Sequence, residues 1–160
     1  RTTMELGGHS PVVVFADADP EKAADTIAAF KYRNAGQVCI SPTRFYVQED
    51  AYKKFLARFS EYAKGIKLGD GLEKGVTMGP MANMRRIDAM ESFVADAKSR
   101  GGTVVTGGKR PSNQGYFYEP TIVTAVLPPS GRVSRVSATS SLGVDRTEGT
   151  PMTWVPKVNC

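Results

Sequence analysis

The fold is constrained most by an unbroken run, Pro11-Val12-Val13-Val14-Phe15, that shows no polar alternation. A strand with one solvated face alternates, so a continuous β-branched run reads as a strand buried on both faces, as in a parallel sheet. Four residues after it, Asp19-Pro20 offers a helix N-cap and a proline for the first helical position. The helix is expected to run to about Lys31, with Ala23, Ala24, Ile27 and Ala28 as a narrow apolar face suited to close packing on a sheet. Residues 43–48, carrying Phe45 and Val47, alternate as a second strand. Asp50 is placed to cap the next helix, where Tyr52, Phe55, Leu56, Phe59, Tyr62, Ala63 and Ile66 recur at steps of three and four opposite Lys53, Lys54, Arg58 and Glu61. A third helix is expected over 83–99, with Ile87, Met90, Val94 and Ala97 inward and Gly101-Gly102 as its stop. Short strands follow at 103–106 and 117–126, the second interrupted by Pro120, while 2–8 reads as a short extended segment. Alternating strands and helices predict an α/β open sheet, largely parallel, with flanking helices.

Between the first helix and the second strand lies Asn34-Ala35-Gly36-Gln37-Val38-Cys39, which sets one thiol on a tight stretch of backbone. Gly36 can take the positive φ of a sharp turn, and Pro42 pushes its predecessor toward extended geometry, so Cys39 belongs on a loop. By itself such a cysteine is more often a small buried hydrophobe. A second signal changes the weighting: Glu5-Leu6-Gly7-Gly8 stands 39 − 5 = 34 residues upstream, room enough for a strand and a helix that return a carboxylate and a thiol to one pocket. Asn34 and Gln37 have the chemistry to tie down the loop by side-chain to backbone hydrogen bonds.

Met4-Glu5-Leu6-Gly7-Gly8 and the cysteine motif, at that spacing, resemble the catalytic core of the aldehyde dehydrogenase superfamily. Gly79-Pro80, Gly107-Gly108-Lys109, Gly115-Tyr116-Phe117 and Glu119-Pro120-Thr121 continue the likeness, which covers residues 1–127. The resemblance implies that Cys39 attacks an aldehyde carbon, that hydride passes to NAD or NADP, and that a thioester remains. It further implies Glu5 as general base for the hydrolytic water, the Cys39 N–H as an oxyanion donor with a side-chain amide from a segment upstream of Arg1, and Leu6 and Gly7 near the nicotinamide. Glu5-Leu6-Gly7-Gly8-His9 and Lys31-Tyr32-Arg33-Asn34 lean toward the succinate-semialdehyde branch, and hence toward a short semialdehyde bearing a carboxylate. That branch often has a cysteine two residues after the nucleophile; Ser41 occupies the place here, so a local redox switch is not supported. Members are usually homodimers or homotetramers. His9, the only histidine, lies just beyond the Gly-Gly turn, and a Cys39–His9 triad is the lesser reading.

Cys39 and Cys160 lack metal-ligand spacing, so no metal site is expected, and they argue for a reducing, cytoplasmic setting. The net charge of +5 is dispersed among carboxylates, without a basic strip interleaved with aromatics, so nucleic acid is not an expected partner; no apolar run suits a membrane span, and no membrane association is expected. Residues 128–160 are about half Ser, Thr, Pro and Gly and lack the acidic Phe-Gly-Pro motif with which the family would continue. They read as a disordered or out-of-frame tail, and residues 1–127 as a partial catalytic domain. Nothing resembles a Gly-rich phosphate loop opening a helix, so the cofactor domain is expected to lie outside this sequence and the chain alone to be inactive as a dehydrogenase. Two rivals remain: a noncatalytic binding or oligomerisation module, and a cofactor-free thiol esterase using Cys39 and Glu5.

Overall fold

The structure, a computed structural model, describes residues 1–112, 114–124 and 133–139. β1 (Val12–Val14) leads through α1 (Pro20–Lys31) to β2 (Arg44–Gln48), which pairs parallel to β1 with Val13 opposite Tyr46. The sequence dictates the helix of this unit closely, but β1 is not buried on both faces. Val14 is buried, whereas Val13 and Phe15 present 58% and 63% of their surface to solvent, because no described element of the chain covers that face of this strand at the end of the described strand order. Asp19 is the N-cap of α1, its carboxylate accepting from the N–H groups of Glu21 (3.0 Å) and Lys22 (3.1 Å), and Pro20 opens the helix. Ala24 and Ala28 are fully buried.

α2 (Glu49–Lys64) follows β2 directly. Its N-cap is Gln48, which makes no side-chain capping bond, and Asp50 lies inside the first turn. Asp50 is therefore not the cap: the cap and the first helical residue each lie two positions earlier than expected, at Gln48 and Glu49, and a carboxylate in the first turn still suits the helix dipole. The aromatic stripe is core as expected, with Phe55 and Phe59 fully buried and stacked at 5.5 Å, Phe45 of β2 at 5.2 Å from Phe59, and Tyr32 at 5.9 Å. Each buried aromatic contributes about 1.5–3 kcal/mol of transfer free energy, so this cluster holds α1, α2 and β2 together. α3 (Met84–Ser99) is capped by Asn83 and buries the four expected residues, Ile87, Met90, Val94 and Ala97. The chain then turns through Gly101, at a φ of 81°, into β3 (Thr103–Thr106), and β4 (Thr121–Thr124) follows.

Two expectations are corrected. The sheet is mixed, not largely parallel: its order is β1-β2-β5-β4-β3, and only β1 with β2 is parallel among the pairings described. The physical reason lies in the connections. A parallel return needs a crossover such as α1, whereas β3 and β4 are joined by a turn-rich loop without a helix and so reverse direction. The tail also contributes structure: β5 (Val133–Thr139) lies antiparallel between β2 and β4. Its β-branched Val133, Val136 and Thr139 favour extended backbone but, spaced by three, show no period-2 alternation, so the signal is submerged in a Ser- and Thr-rich composition. The strand expected over 117–126 begins only after Pro120, and its last two residues, like the rest of the tail, lie outside the described residues.

Candidate active site

Cys39 is exposed at the corner of a turn that the Ser41 N–H closes on the Val38 carbonyl at 2.9 Å. The chain reaches that corner through a 3-10-like turn, Arg33–Gly36, in which Asn34, Ala35 and Gly36 all take positive φ (51°, 53° and 72°). Gly36 does so without strain, and Asn34 tolerates the region because its amide bonds locally. Here Asn34 Nδ2 donates to the Gln37 carbonyl (3.1 Å) and Gln37 Nε2 to the Asn34 carbonyl (3.2 Å), as the residue types imply. The Cys39 N–H makes no backbone hydrogen bond among the described residues, which leaves it available to an oxyanion.

One of the downstream sequence motifs docks on this loop, and the others connect to it or to one another. Gln37 Oε1 accepts from the Ala82 N–H at 2.8 Å and Gln37 Nε2 reaches the Pro80 carbonyl, so the Gly79-Pro80 segment docks on the cysteine loop. Met81 N–H in turn donates to the Tyr116 carbonyl at 2.8 Å, which attaches the Gly115-Tyr116-Phe117 motif. Glu119 N–H donates to the Lys109 carbonyl and Gly108 N–H to Thr121 Oγ1, closing the remaining two motifs on each other.

The N-terminal motif reaches the same place by its end. A Cβ on Gly8 would sit 3.5 Å from the Cys39 carbonyl, and Thr43 N–H donates to the His9 carbonyl at 3.0 Å. Gly8 and His9 thus run beside residues 39–43. Glu5, Leu6 and Gly7 are exposed, and the partial burial that would favour Glu5 as a base is not present in this chain. His9 Nδ1 lies 3.1 Å from Thr43 Oγ1, and burial, with Arg44 and Lys31 nearby, pushes its pKa down. That partner is a threonine, and a triad with Cys39 gains no support from it. Among the described residues no group of three or more His, Cys, Asp and Glu could hold a metal ion, and no helix is long and apolar enough to cross a membrane.

Sequence reasoning missed Lys31. Its side chain is 0% exposed at the end of α1, its Nζ donates to Ser41 Oγ at 3.3 Å, and burial pushes its amine down to about 7. The signal was present: Lys31 stands seven residues after Ala24 and three after Ala28, on the same buried helix face.

A cysteine on a loop between the parallel strands of an α/β unit, with a Gly-Gly segment against it, defines a candidate thiol site. Residues 1–134 match the Aldehyde dehydrogenase family, and the chain belongs to that family. It is 40% identical over 135 residues to the succinate-semialdehyde dehydrogenase [NADP(+)] GabD of Escherichia coli, covering 84% of this chain and 28% of that protein. It is 42% identical over 127 residues to the mitochondrial succinate-semialdehyde dehydrogenase of Rattus norvegicus, covering 79% of this chain and 24% of the relative. Among solved structures, succinate-semialdehyde dehydrogenase from Burkholderia pseudomallei superposes with a TM-score of 0.74 at 42% identity, over 79% of this chain and 26% of that one. The chain spans about a quarter of the length of these relatives.

Proposed function

We propose that this chain is part of the catalytic domain of an NAD(P)-dependent aldehyde dehydrogenase, with Cys39 as nucleophile and Glu5 as general base. The observation that carries the reading is the meeting of the Gly7-Gly8 and Gly79-Pro80 segments with the cysteine loop, whose thiol is exposed and whose Cys39 N–H has no backbone partner among the described residues. The Cys39 thiolate adds to the aldehyde carbon, and its N–H holds the oxyanion of the tetrahedral adduct. When bound, the nicotinamide cofactor accepts the hydride that this carbon releases. Cys39 then carries an acyl thioester, and Glu5 takes a proton from the water that hydrolyses it, returning the thiolate and a carboxylic acid. Glu5 needs covering elements to become an effective base, since it is exposed here. Leu6 and Gly7 fit the nicotinamide: Leu6 presents 63% of its surface to solvent, an apolar face for a ring, and Gly7 has no side chain to obstruct one.

The substrate in this reading is a short semialdehyde bearing a carboxylate. Arg33 supports it as the one cation between α1 and β2 and is exposed at the start of the cysteine loop. The cofactor is NAD or NADP; both curated relatives described above carry the succinate-semialdehyde name, one of them with NADP(+). The working enzyme is placed in the cytoplasm as a homodimer or homotetramer, and the 160-residue chain by itself oxidises no aldehyde. Residues 1–127 act as the partial catalytic domain, and 128–160 as a tail that departs from the family pattern after its first residues.

Grafting residues 1–134 into the E. coli relative in place of the matching segment tests the reading. Aldehyde-dependent NAD(P)H formation is expected, with Cys39→Ala lowering it by about 10³-fold or more. A graft whose Cys39→Ala variant keeps its activity would overturn the assignment.

A further inference from the structure

We propose that Lys31 is a positioning residue for Cys39, acting through Ser41. The inference rests on the reading of Cys39 as the nucleophile and adds to it a residue that fixes where the thiol stands.

A buried lysine without a carboxylate is unfavourable, and a methionine of similar length would fill the same space without desolvating an amine. Packing alone does not call for this residue. What the amine does is directional. Lys31 Nζ donates to Ser41 Oγ (3.3 Å), and Ser41 Oγ donates to the Lys31 carbonyl (3.4 Å), so one hydroxyl is engaged at both its donor and its acceptor by the same residue. The carbonyl so satisfied is one of those left without an intrahelical partner at the end of α1. Ser41, itself only 2% exposed, is in turn the residue whose N–H closes the turn around Cys39 and Ile40.

Among the described residues neither corner residue has a hydrogen-bonded anchor of its own. Cys39 is exposed, and Ile40 presents 58% of its surface to solvent. The turn is therefore held from its ends: on the incoming side by the Asn34–Gln37 bonds, and on the outgoing side by Ser41 on Lys31 and Thr43 on His9. The charged and titratable groups near Lys31 are His9, from the segment before β1, and Arg44, from the start of β2: burial lowers the His9 pKa, and Arg44 and Lys31 lower it further. No carboxylate bonds to Lys31 among the described residues. The lowered pKa of the Lys31 amine, about 7, means that its bond to Ser41 changes from charge-assisted to neutral near physiological pH.

The test uses the whole chain carrying Cys160→Ser, so that Cys39 is the sole thiol. Its alkylation by iodoacetamide is followed across the pH range from mildly acid to about 10, beyond the ordinary thiol value. In this parent the rate is expected to show, beside the general rise of thiolate alkylation with pH, a second step near the Lys31 value of about 7. Lys31→Met removes the second step and changes the rate by about threefold or more, while the urea midpoint stays at or above the parent's. Ser41→Ala gives the same change, the double variant adds nothing further, and Ser41→Thr, which keeps the hydroxyl, restores the parent profile. His9→Gln keeps the step, which separates it from titration of the imidazole. Rates within twofold of the parent and one shared pH profile in Lys31→Met and Ser41→Ala would overturn the inference. Were Lys31→Met to fail to fold, the contrast of Ser41→Ala with Ser41→Thr decides it. Because the readout is thiol alkylation, this result is independent of whether the grafted enzyme oxidises an aldehyde.

Discussion

Replacing Lys31 by Met is expected to stabilise the chain at neutral pH and to remove a rise in stability that the parent shows as pH increases. Burial lowers the amine from its ordinary 10.5 to about 7, a displacement of 10.5 − 7 = 3.5 pH units. At about 1.36 kcal/mol per unit, and with the amine half protonated at pH 7, folding is opposed by on the order of 4 kcal/mol at that pH. The sign follows from proton binding. Between pH 7 and 10.5 the unfolded chain holds the Lys31 proton and the folded chain does not, so stability rises with pH by up to about 1.4 kcal/mol per unit and is lost again as pH falls through 7. Burial raises the Tyr32 pKa well above the usual range, so ionisation of that tyrosine in the unfolded chain opposes folding above about pH 10 and bounds the window. Methionine removes the desolvation penalty and also the Nζ to Ser41 bond, worth about 1 kcal/mol, while the Ser41 hydroxyl keeps its carbonyl acceptor. The net expectation is a gain of about 2–3 kcal/mol at neutral pH, read from urea unfolding at about pH 7, 8 and 9.5. A parent whose stability is flat or falls across that range, or a Lys31→Met variant that retains the rise, would refute the reasoning.

Other perturbations test the packing and the loop. Phe59→Ala, at a fully buried ring in contact with Tyr32, Phe45 and Phe55, is expected to destabilise by about 3–5 kcal/mol in urea unfolding. Gly107→Ala puts a Cβ against the Pro120 backbone at a φ of 68° and is expected to lose about 2 kcal/mol or more, measured the same way. Asp19→Ala removes the α1 cap and should lower stability by about 1 kcal/mol. Gln37→Ala unties residues 80–82 from the cysteine loop, so amide exchange at Ala82 should quicken by about tenfold while β2 amides are unchanged.

Elements whose determinants are local could be read from the chain. The Asp19-Pro20 start of α1, the aromatic stripe of α2 and the four inward residues of α3 each depend on neighbours within one or two turns, and all are found where the pattern puts them. Strand direction was less legible because it is set by connections: the eye counts strands and helices, whereas β3 and β4 reverse through a loop that contains no helix. β5 was hidden by composition, since its Val and Thr favour a strand but are interspersed with Ser and embedded in a Ser-, Thr-, Pro- and Gly-rich stretch that reads as disordered. Within the site, Cys39, Asn34 and Gln37 announced themselves by residue type at fixed spacing. Lys31 did not, because charge outweighs periodicity in any reading of a lysine, although its place on the Ala24–Ala28 face marked it as buried. Glu5 was legible as a motif residue but not in its environment: its exposure depends on which elements cover residues 1–8, and that is not encoded locally.

The most direct test of Cys39 as an acyl-carrying nucleophile is the mass of its peptide from the graft carrying Glu5→Gln, quenched during turnover with a semialdehyde and NADP. Without its base, hydrolysis should lag behind acylation, and the Cys39 peptide is expected to gain the mass of the acyl group, in an adduct that hydroxylamine removes. An unmodified Cys39 in a graft that still forms NADPH would contradict the account.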